Sequence, residues 1–174
     1  MMETVIASIS LAALYMGAVT WKNRELPESI SALVYALPAG RWRWLWSAWL
    51  ALVTLLMAPA LTAALSATWR TSLLADATVI CLAMTAALPL LPGYHNRLHT
   101  ALGITSGVLT QACVWLVCPW WLLLWLLMAA VAVDAWFAHP SLPRWYDHKG
   151  VLIAEIICAA TVYGSLLVWS AAMP

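Results

Sequence analysis

The chain has 174 residues, 65% of them hydrophobic and only 9% charged, with a net charge of +1. Soluble domains are about 45–50% apolar and about 25% charged, so these few charges cannot cover a water-facing surface, and the apolar excess also excludes disorder. A charge this close to zero supplies no basic field for nucleic acid, which leaves lipid as the environment that suits the composition.

A bilayer-crossing helix needs about 20 mostly apolar residues. Six such runs predict six transmembrane helices, at 5–21, 44–67, 73–91, 101–117, 120–138 and 151–171. Unpaired backbone cannot face lipid, so each run must be helical, and none shows the period-two alternation of a barrel strand. The predicted fold is an all-α, polytopic bundle forming a single domain over 1–174. Glu3 stands where a signal peptide carries positive charge and no A-x-A site follows, so the first run is expected to remain as a helix. Residues 27–38 lie between Pro27 and Pro38. They are too few to span and read as a short interfacial or re-entrant helix. Pro59, inside the second run, predicts a kink. Only Cys118 and Pro119 separate the fourth and fifth runs, which together cover 38 residues, too many for one span. Pro119 therefore marks a hairpin. Cys81, Cys113, Cys118 and Cys158 lie in or beside apolar runs with no C-x-x-C pair and read as buried small hydrophobes.

Charge sets the expected orientation. The first, third and fifth loops hold Lys22, Arg24, Arg41, Arg43, Arg97, Arg144 and Lys149, and the other side holds Arg70 alone. The positive-inside rule places the richer loops in the cytoplasm and both termini outside it, in an expected prokaryotic plasma membrane. Trp21, Trp42, Trp44, Trp46 and Trp136 gather near the cytoplasmic boundary, and Trp69, Trp115, Trp120, Trp121 and Trp169 near the other, as an aromatic belt does. Trp49 and Trp125 sit deeper and are the candidate ligand-pocket aromatics.

The runs contain three charged residues, Asp76, Asp134 and Glu155. Asp76 suits the N-terminus of the third helix, near Arg70. Asp134 and Glu155 lie about one turn inside the facing ends of helices five and six, and His99 sits at the lip of helix four. His99, Gly103, Ser106, Thr110 and Cys113 fall on one face of that helix, and small and hydroxyl residues mark helix contacts in lipid. The expected polar cluster is therefore His99, Asp134, Glu155, Ser106 and Thr110, converging on a cavity open to the cytoplasm. Intramembrane carboxylates are functional-site candidates by default. Equally, Asp134 and Glu155 lie close enough to the interface to pair with Arg144 or Lys149. His95 and His99, four residues apart, could share a helical face and with Asp134 and Glu155 form a metal-ligand set.

The H-x-x-x-H at His95 to His99 resembles that of membrane-embedded hydrolases of the alkaline ceramidase type, which gather serine, aspartate and histidines around zinc. Their H-x-x-x-H is near the C-terminus, whereas here it is mid-chain and the sixth run has no histidine, so no residue assignment carries over. Six-helix substrate-binding subunits of vitamin transporters are similar in size and helix count only. Three functions remain open. One is a small transport or substrate-binding subunit with a protonatable site near the cytoplasmic face. The second is a membrane-embedded lipid hydrolase, with or without a bound metal, and the third a non-catalytic helical partner of other membrane proteins. The expected partners are the lipid bilayer, a lipid or small-molecule ligand, and another membrane protein or a second copy. No cofactor is named by the residues.

Overall fold

The computed structural model describes residues 1–30, 32, 43–91, 96–137 and 149–173. These form an all-α polytopic membrane bundle of six helices: α1 Met2–Asn23, α2 Arg43–Ala64, α3 Trp69–Ala87, α4 Asn96–Val117, α5 Trp125–Phe137 and α6 Gly150–Ala172. All but α5 are long and apolar enough to cross a membrane. Most of the expected interfacial helix, with His95, His139, His148 and Arg144, lies outside the described residues.

The helix starts follow local chemistry. Thr68 and Thr71 form a reciprocal capping box, each side-chain oxygen taking the other's backbone N–H, so α3 begins four residues before the apolar run does. Such a cap contributes about 1 kcal/mol. Asp76 consequently lies in the third turn of α3, exposed, too far along to complement the helix N-terminus. Arg70 instead places its guanidinium 5.4 Å from the Trp69 ring centroid. Helix α2 continues through Pro59, beside which Thr62 Oγ1 donates back to the Ala58 carbonyl at 2.9 Å.

The expected break at Cys118-Pro119 is present, but the fifth run begins differently from a plain helix. Pro119–Leu124 is a 3-10 segment and α-helical bonding starts only at Trp125. The tighter winding rises about 2.0 Å per residue against 1.5 Å for an α-helix, giving the compound element a contour of roughly 31 Å. That approaches the roughly 30 Å hydrocarbon thickness, although the α-helical part is short. Trp121 of this segment packs against Gly164 of α6. A Cβ at Gly164 would stand 2.5 Å from the Trp121 ring, so only glycine admits the approach.

The five long helices close a ring. Helix α2 packs on α1 and α3, α3 on α4, α4 on α6, and α6 on α1, while α5 lies lightly against α6. The main core joins Met57, Leu61, Ala75, Cys113, Val114, Val162 and Leu166. Its residual void of about 10 Å³, bordered by Leu61, Cys113 and Leu166, has room for roughly one water. In lipid, packing and interhelical hydrogen bonds drive association. Ser8 of α1 supplies two of these bonds, to the Val53 carbonyl at 2.9 Å and to the Tyr163 hydroxyl at 2.7 Å.

Candidate functional site

Two polar groups stand out at different depths. The first lies at the end of the bundle that carries the first connection and the starts of α2, α4 and α6. After α1 ends at Arg24 in a left-handed conformation (φ 57°), the chain turns back onto α6. Lys149 Nζ donates to the Leu26 carbonyl at 2.6 Å, the Leu152 N–H donates to the Glu28 carbonyl at 3.1 Å, and the Ile30 N–H donates to the Glu155 carboxylate. Residues 26, 28 and 30 of the connection thus meet residues 149, 152 and 155, three apart along one face of the start of α6, and the connection forms a strap across that face. The Leu152 bond also satisfies one of the N–H groups that a helix start leaves without an internal partner.

Ile30 joins this strap to the aromatic residues beneath it. Its carbonyl accepts from Trp46 Nε1 at 3.3 Å. Trp46 is 1% exposed and its ring lies 5.3 Å from that of His99, tilted by 55°. It is also 6.4 Å from Trp49, which stacks on Tyr15 at 4.5 Å and donates to the Leu11 carbonyl at 3.2 Å. Trp46 is therefore a core residue, not a member of the aromatic belt. By contrast, Trp21, Trp44, Trp69, Trp115 and Trp120 are exposed, as a belt requires.

The second group lies further along α4, with Gln111 about 18 Å from His99 along the helix axis. Gln111 Oε1 accepts from Trp125 Nε1 at 2.8 Å and from Thr161 Oγ1 at 3.0 Å. Its Nε2 donates to Cys158 Sγ at 3.0 Å. Thr110 adds a 3.5 Å contact to the same sulfur and a 2.7 Å bond to the Gly107 carbonyl. One amide thereby links α4, α5 and α6.

The structure therefore distributes the sequence candidates. His99 and Glu155 belong to the group around Ile30, and Thr110 and Trp125 to the group around Gln111. Ser106 is buried and bonds within α4, to the Gly103 carbonyl at 2.8 Å. Asp134 is exposed near the end of α5. Gly107 lies against Cys158, whereas a Cβ at Gly103 would meet nothing within 4 Å, so among the described residues Gly107 is the half of the G-x-x-x-G that makes a helix contact. Among the described residues, no three His, Cys, Asp or Glu side chains are grouped to hold a metal ion. Sequence reasoning missed Gln111, Ile30, Ser8 and Tyr163. For Gln111 a signal existed, because an amide inside an apolar run must find partners.

Set against family models, curated proteins and solved structures, the chain matches none of them.

Proposed function

We propose that the protein is a small transport or substrate-binding membrane subunit, with a protonatable site at the mouth formed by Ile30, Trp46, His99 and Glu155. The observation that carries this reading is the bond from the Ile30 N–H to the Glu155 carboxylate. It ties a connecting segment across a cluster of aromatic side chains on the helices. The positive-inside count puts this mouth in the cytoplasm and both termini on the far side, in a prokaryotic plasma membrane.

The carboxylate supplies a means of gating. An ionised carboxylate accepts a charge-assisted hydrogen bond, roughly twice as strong as a neutral one. A proton on Glu155 weakens the latch and frees the strap, and a proton leaving it draws the strap back. Among the described residues, the charges near Glu155 include Lys149, the N-cap of α6 six residues earlier, and Glu28 on the strap, and the His99 ring lies against Trp46. Asp134, exposed on the neighbouring helix, is the second carboxylate of this reading. The metal-dependent hydrolase reading draws less support, since the described residues offer no metal-holding group.

The test is electrical. Proteoliposomes adsorbed on a solid-supported membrane are exposed in turn to pools of cationic, anionic and neutral organic solutes. A solute-evoked current that E155Q diminishes is the expected result. Absence of current from every pool, with the protein verified as folded, ends the transport reading.

A further inference from the structure

Ile30 is held in the mouth as a bound molecule would be. Its N–H donates to Glu155 of α6, its carbonyl accepts from Trp46 of α2, and its side chain packs against the cluster of Val19, Trp46, Trp49 and Val53. The neighbouring strap residues differ in kind. Among the described residues, Leu26 and Glu28 are held through their carbonyls, by a lysine and a backbone N–H. At Ile30 side chains from two helices engage both polar atoms of one residue.

We propose that this mouth binds a compact, branched apolar amine carrying a neutral carbonyl, the chemistry of an amino-acid amide, and that Ile30 is its intramolecular stand-in, displaced when the ligand enters. The inference rests on the substrate-binding reading of the mouth and names its ligand class. Each part of the ligand answers a group on the protein. Glu155 takes a donor, and an ammonium in place of the Ile30 N–H adds charge–charge attraction to the hydrogen bond. Trp46 offers an indole N–H, which can only donate, so the ligand must carry an acceptor. The Val19, Trp46, Trp49 and Val53 surfaces take a branched aliphatic group of the size of the Ile30 side chain. The carbonyl must be neutral, because a free carboxylate would bring like charge toward Glu155. The Tyr15 hydroxyl, on a ring that packs against the same cluster, is buried with no hydrogen-bond partner among the described residues.

The experiment is calorimetric titration of the full chain in lipid nanodiscs with L-isoleucinamide. The comparators are L-isoleucine, which adds a carboxylate, N-acetyl-L-isoleucinamide, which removes the charge, and 2-methylbutylamine, which removes the carbonyl. Saturable binding of isoleucinamide is expected, with each comparator weaker by about tenfold or more, the loss of one charge-assisted or buried bond. I30G removes the branched side chain of the internal occupant and keeps its N–H and carbonyl, so it should tighten binding by about threefold, because the competent state then competes with a more weakly held strap. E155Q and W46F should each weaken it, and helical content by circular dichroism shows that both fold. Absence of saturable binding by wild type and I30G up to about 10 mM, a bound of roughly 2.7 kcal/mol, overturns the proposal, as does equal affinity for the acetylated comparator. Solute-evoked current without isoleucinamide binding would sink this inference and keep the transport reading. Binding without any current would do the reverse.

Discussion

The Ile30 contact and the Gln111 group solve one problem, polar atoms in an apolar bundle, in opposite ways. Around Gln111 all the partners are on helices: Trp125 on α5, and Thr161 and Cys158 on α6. Breaking that group strands polar atoms within the membrane, at a cost of about 1–3 kcal/mol each. At the mouth the partner is the backbone of a partly exposed connection, and water can replace it. The same hydrogen-bond chemistry therefore locks the middle of the bundle and leaves its end reversible.

The largest effect should come from the locked side. G164A puts a methyl group 2.5 Å from the Trp121 ring, an overpacking worth roughly 1–3 kcal/mol. The loss should appear as a lower Tm in detergent, even though alanine is the better helix former. Adding W121A should recover part of it, because the two side chains then no longer compete for one space. Additive losses would show that the ring does not sit where the helix contact requires.

Q111L should cost about 1–2 kcal/mol in the same melt. It leaves the Trp125 indole N–H without its acceptor and should loosen α5 before the other helices. Faster hydrogen exchange confined to α5 is the expected pattern, and uniform acceleration would mean that Gln111 holds the whole bundle.

The smallest global effect belongs to the mouth. E155Q should shift the melt by no more than about 0.5 kcal/mol, yet speed exchange of the Ile30 amide by about tenfold, the loss of a charge-assisted bond. A large drop in Tm with unchanged Ile30 exchange would reverse the comparison between the two regions.

Much of the bundle was legible because hydropathy and length are properties of the lipid as well as of the chain. A run either reaches across the hydrocarbon or it does not, and Pro119 divides the mostly apolar 38-residue stretch 101–138 in the fold as in the sequence. The 3-10 start of α5 was not legible, since Trp120 to Leu124 are as compatible with one winding as with the other, and the fit of Trp121 over Gly164 joins residues distant in sequence. Glu155 stood out as a charge in an apolar run. Its partner did not, because Ile30 contributes a backbone N–H that every residue but proline carries. Trp46 read as a belt residue from its place near a span end. The returning strap, which accepts its indole proton, and the rings of His99 and Trp49 make it interior.

The Ser8 to Tyr163 bond has a consequence for the order of assembly. It joins the first helix to the last, across 155 residues of chain. In the membrane, helices insert first and associate afterwards. While α1 and α2 are already inserted, Ser8 has the Val53 carbonyl to bond, a partner made early. Closing the ring waits for α6, which brings Tyr163 to Ser8, Glu155 to the strap and Gly164 to Trp121. The final helix is thus the keystone of biogenesis. A ribosome stalled before it would leave an open arc of helices, which a separately supplied α6 could complete.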